Sequence, residues 1–338
     1  MKHIFYVHSG ITYLVSLAVI DHLKLELNAV VIIICRSIKI DEKFCCIKLE
    51  PNEENIALLP SYGSPDVLRN LSVLRKLDTK MRAVSRDKGF TLYLPSEKNY
   101  LMQFLQSHPL CFRRNFIEEG LLTYRAGFVK SRPPMTKLVD NFKHFLRFLF
   151  HLNRTSGIPN PEARKDFTIY VVTKTAQHIL RDYKVVLLNA SSVQIDQQIA
   201  LAPFTALYIF DAVVEMSLCA NDNFMECLEN FVAKHVPRQG LAIKFHPFQK
   251  EHDQYLAIFN KYNIQYTLLG SEVIPEVLLA QQKNLSIYGL SSSVLFYAKE
   301  MGHCVRSFSS ELAKKDLVYK NYVTQLIPNS IIEYLKLI

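Results

Sequence analysis

The sequence predicts an α/β chain with parallel strands, arranged as two units in series. Short β-branched runs alternate with longer amphipathic segments, the alternation pauses near residues 190–205, and it then resumes. The 338 residues, at roughly 150 per domain, allow two separate cores.

In chain order the first strand is Ile4–Val7, followed by His8, Ser9 and Gly10 as a loop and by a helix over Tyr13–Leu25. The same N-terminal stretch carries the charge and apolarity of a secretory leader, with Lys2 ahead of it and Ser16 and Ala18 as a cleavage pair. The polar interruption at His8–Gly10 favours strand, loop, helix. Val30–Cys35 is the next strand, ahead of a polar stretch; Thr168–Val172, a helix and Val185–Leu188 follow. The second unit reads as Ala206–Phe210, a helix through Met225 to His235, Leu241–Phe245, a helix through Glu251 to Asn263, Gln265–Leu268, and Leu285–Tyr288 with a further helix. These boundaries divide the chain into residues 1–198, 199–312, and C-terminal helices from 313 to 338 that pack back on the N-terminal domain. No linker is rich in Pro or Gly, so the two units are expected to face each other across a cleft.

Composition excludes several classes. The chain is 49% hydrophobic and 21% charged with 14 Pro and 10 Gly, an ordinary globular balance rather than a disordered or collagen-like one. No two glycines stand at the spacing of G-x-G-x-x-G or G-x-x-x-x-G-K, so a bound nucleotide phosphate needs another cradle. Forty Lys and Arg against 31 Asp and Glu leave +9, a surplus that favours phosphate-bearing or membrane-surface partners. Seven cysteines, at 35, 45, 46, 111, 219, 227 and 304, include no C-x-x-C and fit neither a disulfide framework nor a zinc knuckle; a reducing cytoplasm is the simplest home. The longest uninterrupted apolar run, Ala29–Cys35, is far short of the roughly 20 residues that cross a bilayer.

Four segments carry chemistry. Phe116 and Ile117 lead directly into Glu118-Glu119-Gly120, as a strand does at the carboxyl edge of a parallel sheet, where α/β ligands bind. A carboxylate there can act as a general base; by itself the tripeptide also reads as a solvated turn. The strand Leu241–Phe245 stops at His246-Pro247, and the proline keeps His246 out of helical geometry. With Lys244 it offers a titratable donor and a cation to a phosphate, against the reading of a satisfied structural histidine. His108-Pro109, by contrast, follows a helix-like stretch and reads as a helix exit. Ser291-Ser292-Ser293 stand between a strand and the helix Val294–Glu300; one serine suffices for an N-cap, and the others leave donors for an anion. Pro275 opens a helix with Glu276 in its first turn, either complementing the dipole or taking the two hydroxyls of a ribose.

These four segments, in this order, resemble the bacterial inverting sialyltransferases of the two-Rossmann-domain (GT-B) type, a group that includes lipooligosaccharide sialyltransferases and polysialyltransferases. The group carries an acidic pair plus Gly, matched by Glu118-Glu119-Gly120; Lys-x-His-Pro, matched by Lys244–Pro247; an acid opening a helix, matched by Glu276; and a paired serine, matched by Ser292-Ser293 with Ser291 adjacent. The resemblance implies an N-terminal acceptor domain, a C-terminal nucleotide-sugar domain, and CMP-sialic acid as donor with no cofactor. Glu118 would deprotonate the acceptor hydroxyl and His246 would donate to the departing phosphate. The serines would bind its oxygens and Glu276 the ribose. The group needs no metal, and the chain has no Asp-x-Asp and no His-Glu-x-x-His.

Phe142–Arg154 interleaves aromatic and basic residues at helical spacing. It reads as a core helix with a basic rim or, through Lys143, Arg147 and Arg154, as an interfacial helix on an anionic leaflet. The leading expectation is therefore a cytoplasmic sialyltransferase, reversibly attached to the inner membrane face, that completes a surface glycan such as lipooligosaccharide or capsule at a terminal galactose. A transferase using another nucleotide sugar and a non-catalytic glycan- or nucleotide-binding homologue are the alternatives. A nucleic-acid partner is not expected, since no aromatic-basic or recognition-helix motif accompanies the charge.

Overall fold

A computed structural model describes residues 1–35, 38, 40–51, 53, 71–86, 88–96, 100–106, 108–124, 167–193 and 204–337. They form two compact units, residues 1–195 and 196–338.

The first unit is a parallel sheet of β1 (Lys2–Val7), β2 (Val30–Ile34), β3 (Cys45–Lys48), β4 (Phe90–Leu94), β5 (Cys111–Ile117), β6 (Ile169–Val171) and β7 (Val185–Leu187) in the order β3-β2-β1-β4-β5-β6-β7. β2 reads Val-Val-Ile-Ile-Ile and is buried at every position, as is β4. Strands covered on both faces are continuous apolar runs, not alternating ones. After β1 the chain turns into α1 (Gly10–His22) through a capping box, in which the Thr12 N–H donates to Ser9 Oγ at 3.4 Å and the Ser9 N–H donates to Thr12 Oγ1 at 3.0 Å. Every residue of α1 from Ile11 to Ile20 is buried. A helix packed on all sides is apolar on all sides, which is why this segment resembles a leader in the bare sequence. α2 (Leu71–Ser85), α3 (Tyr100–Gln106) and α4 (Lys174–Ile179) are further α-helices of this unit. His108 does follow the end of α3, and there it is a buried residue: Nδ1 accepts from the Leu110 N–H at 3.1 Å and Nε2 lies 3.2 Å from Asp78 Oδ1.

The second unit is a parallel sheet of β8 (Ala206–Ile209), β9 (Leu241–Lys244), β10 (Tyr266–Leu268), β11 (Ser286–Gly289) and β12 (Cys304–Ser307) in the order β10-β9-β8-β11-β12. Its helices are α5 (Asn221–His235), α6 (Asp253–Lys261), α7 (Pro275–Gln281), α8 (Ser293–Glu300), α9 (Ser309–Lys315), α10 (Leu317–Leu326) and α11 (Asn329–Leu335). The C-terminal helices, set apart from residue 313 in the sequence reading, belong to this unit. Asp316 caps α10 by accepting from the Tyr319 N–H at 3.0 Å, and the same carboxylate takes the Ala220 N–H at 2.8 Å beside α5.

In such sheets the ligand crevice lies outside the carboxyl ends of the strands, where the strand order reverses direction. In the second unit that point falls between β8 and β11. There the backbones approach closely: a Cβ added at Gly289 would stand 2.7 Å from the Ile209 carbonyl oxygen. Gly289→Ala is therefore expected to force the two strand ends apart at a cost of about 1–3 kcal/mol. A lowered urea midpoint would show it, and an unchanged midpoint would contradict it.

Candidate active site

At the carboxyl edge of the first sheet, the two acids after β5 have different fates. Glu118 is fully buried. Its Oε2 accepts from the Val172 N–H at 2.8 Å, and its Oε1 accepts from the Thr173 hydroxyl at 3.1 Å and from the Tyr124 hydroxyl. Thr173 Oγ1 also lies 2.6 Å from the Tyr124 oxygen and accepts from the Ala176 N–H at 3.2 Å, capping α4. A buried carboxylate holding three donors ties β5 to the loop after β6 and to the turn at 121–124. Glu119 is the first residue past the strand to reach the surface. Its Oε1 lies 3.6 Å from His8 Nε2, both side chains are partly accessible, and its N–H donates to Thr123 Oγ1 at 2.8 Å. Gly120 follows at φ +105°, a backbone conformation that side chains disfavour. The turn thus delivers Glu119 beside a histidine that directly follows β1.

In the second unit, Asp211 follows β8 and the serines follow β11, on either side of the reversal point. The Ser291 N–H donates to Asp211 Oδ2 at 2.7 Å and the Ser291 hydroxyl lies 3.4 Å from the same oxygen. Burial pushes the Asp211 carboxyl up to about 6, while hydrogen bonds from the N–H and hydroxyl of both Ser291 and Ser292 pull the other way. Ser292 Oγ accepts from the Val294 N–H at 3.3 Å as the cap of α8. Ser293 opens that helix, partly exposed.

His246 follows β9, held by its own loop. Its N–H donates to Gln249 Oε1 at 3.0 Å, and its Nδ1 accepts from the Phe248 N–H at 3.2 Å. A neutral imidazole that accepts at Nδ1 carries its proton on Nε2, so Nε2 is a donor. Burial lowers the His246 pKa below 6.5, opposed by the charge of Glu215. Gln249 is buried, and the Tyr255 hydroxyl donates to Glu215 Oε1 at 2.9 Å. Lys244 is nearly buried, its Nζ donating to the Gly270 carbonyl. Burial lowers its pKa and the charges of Glu272 and Glu276 raise it. Glu276 stands next to Pro275 in the first turn of α7, buried; that burial raises its pKa, against its own N–H and the Lys244 charge.

Residues 4–310 match the family model described as Alpha-2,8-polysialyltransferase (POLYST). The chain belongs to that family. This sialyltransferase is also similar in chain path to several solved structures. They include the 2,6-sialyltransferase of Photobacterium sp. JT-ISH-224 in complex with CMP and lactose (12% identity, 95% of this chain and 75% of that one, TM-score 0.47). A sialyltransferase from Photobacterium damsela matches at 13% identity over 96% and 79% of the chains, with a TM-score of 0.48. The S. aureus MnaA structure with UDP matches at 12% identity over 100% and 91%, with a TM-score of 0.47. No curated protein sequence matches at a significant level. Family membership rests on the match over 4–310.

Glu118, Lys244, His246, Glu276 and Ser291–Ser293 each stand at a strand's carboxyl end or a helix start. Lys244 and Glu276 lie near enough to sense each other's charge. Ser291 and Ser292 are gathered by Asp211, which the sequence reading passed over. It also passed over His8 and Gln249. Asp211 and His8 end apolar runs just as Glu118 does, so the same criterion finds them. Phe142–Arg154 lies outside the described residues. No described helix is long and apolar enough to cross a membrane.

Two measurements check this geometry. Glu118→Gln turns one acceptor oxygen into a donor facing donors and is expected to cost about 1–3 kcal/mol in urea unfolding. Glu119→Gln should stay within about 0.5 kcal/mol of wild type; the reverse ranking would reassign the pair. Protonating His246 at Nδ1 sets two donors against each other at the Phe248 N–H. With the folded pKa lowered, the loop's contribution is complete above the ordinary histidine pKa of 6.5 and is lost as pH falls below it. An NMR titration should give a His246 midpoint below 6.5; one above 6.5 would contradict the assignment.

Proposed function

We propose that this sialyltransferase moves sialic acid from CMP-sialic acid to a terminal sugar of a bacterial surface glycan, a lipooligosaccharide or capsule, with inversion and without a metal ion. The observation that carries the reading is the family match, which spans all four motif segments in order. Glu119, rather than the buried Glu118, takes the proton of the acceptor hydroxyl. The freed oxygen attacks the anomeric carbon, the bond from that carbon to the phosphate oxygen breaks, and its electron pair leaves with CMP. A phosphate monoester has a second pKa of about 6, so at neutral pH the leaving group departs without needing a full proton. A neutral His246 suits that requirement: its Nε2–H stabilises the oxygen as charge develops on it. Ser293, with the Ser291-Ser292 turn behind it, binds the other phosphate oxygens. The Glu276 carboxylate accepts from the ribose hydroxyls, and Lys244 balances Glu276. The +9 net charge supports attachment to an anionic membrane surface through Phe142–Arg154, to be read as salt-sensitive binding to anionic vesicles.

Glu119→Gln is expected to lower transfer by roughly 10²–10⁴-fold while calorimetric CMP affinity stays within about twofold, because nucleotide binding does not need the base. Transfer within a few-fold of wild type would remove Glu119 from the chemistry. Chelator should leave the wild-type rate unchanged, and strict dependence on Mg²⁺ or Mn²⁺ would contradict the metal-free mechanism.

A further inference from the structure

The serine turn after β11 is held from below by an acid. Asp211 leaves β8 and Ser291 leaves β11 at the point where the strand order reverses, and β8 and β11 are hydrogen-bonded neighbours. Gly289 lets the strand ends close to within the reach of a short side chain, since a Cβ there would meet Ile209 O at 2.7 Å. Asp211 Oδ2 then takes the Ser291 N–H at 2.7 Å and faces the Ser291 hydroxyl at 3.4 Å, and the polar groups of Ser292 lie near enough to favour the carboxylate's charge. Tyr319 of α10 lies near Ser291, its hydroxyl 2.7 Å from Ser309 Oγ, on the far side of the turn.

A hydroxyl donates one proton. Ser291, spending N–H and O–H on Asp211, has no second donor for a phosphate, and Ser292 is held by capping α8 with its oxygen. Ser293, the first residue of α8, is partly exposed and is not among the donors to Asp211. The three serines therefore divide into two that are held and one that is offered.

We propose that Asp211 is a positioning residue of the phosphate subsite: it fixes the Ser291-Ser292 turn so that Ser293 and the opening of α8 are set for a phosphate oxygen. This rests on the reading of the serine turn as the donor-phosphate site. An anion is an unusual neighbour for a phosphate and is tolerated here because its charge is taken up by the Ser291 N–H and hydroxyl. Burial, by raising its pKa, further lowers the charge it presents.

The test compares CMP with cytidine, which lacks the phosphate, by calorimetry on the full chain at fixed pH and salt, for wild type, Asp211→Ala and Asp211→Asn. Asp211→Ala releases the turn and should weaken CMP binding roughly tenfold or more, the scale of a lost charge-assisted hydrogen bond, while cytidine affinity stays within about twofold. Asp211→Asn keeps one acceptor oxygen and should lose less, roughly three- to tenfold. Should the alanine variant fail to fold, the asparagine variant decides alone. A folded variant that binds CMP as wild type does, or that loses CMP and cytidine equally, overturns the positioning role. Wild type that binds CMP no more tightly than cytidine overturns the phosphate reading itself, and the positioning role with it.

Discussion

Every described strand in both sheets runs parallel to its neighbours, so each delivers the residue that follows it to the same edge. The rest of the molecule depends on this constraint. His8 after β1, Glu119 after β5, Asp211 after β8, His246 after β9 and the serines after β11 are brought to the carboxyl edges of their own sheets by direction alone. Parallel pairing also buries both faces of the strands, which is why β2 is apolar throughout and every residue of β4 is buried. Titratable groups are displaced to the strand ends, where backbone N–H groups are free of the ladder and can hold a carboxylate or an imidazole in place.

At those ends acids come in two kinds. Glu118 and Asp211 are each bound by several N–H and hydroxyl donors and shape a turn. A buried carboxylate without such partners would cost several kcal/mol, so the donors around Glu118 are a condition of its burial. Glu119 is instead partly accessible to solvent and faces a histidine. The division repeats with His246, whose Nδ1 accepts from its own loop and whose Nε2 carries the proton. Structure and chemistry are thus assigned to neighbouring atoms or neighbouring residues, and a substitution one position away changes which is lost.

The sequence made β1, β2, β6, β8, β9 and β11 legible through the apolar run each contains, but it passed over β4, the central strand of the first sheet. β3 and β12 sit at sheet edges with mostly exposed side chains, and their patterns, Cys-Cys-Ile-Lys and Cys-Val-Arg-Ser, carry little hydrophobic signal. α1 was ambiguous for the opposite reason, being apolar on every face. The motif segments were legible from strand ends and from Pro275. Which member of Glu118-Glu119 faces outward was not, because β5 is buried on both faces over its last four residues and alternation gives no sign of where exposure begins. Asp211 lies far from its serines in sequence; only the β8–β11 pairing brings them together, and a single sequence does not encode that pairing visibly.

The central claim is donor and reaction class, and the direct measurement is a transfer assay on wild-type protein. CMP-sialic acid, UDP-sugars and GDP-sugars are offered separately with a galactosyl acceptor, nucleotide release is followed, and the anomeric configuration of the product is read by NMR. The account predicts CMP release with CMP-sialic acid alone and an inverted sialyl linkage in the product. Release from a UDP- or GDP-sugar, a retained configuration, or no release from CMP-sialic acid would contradict it.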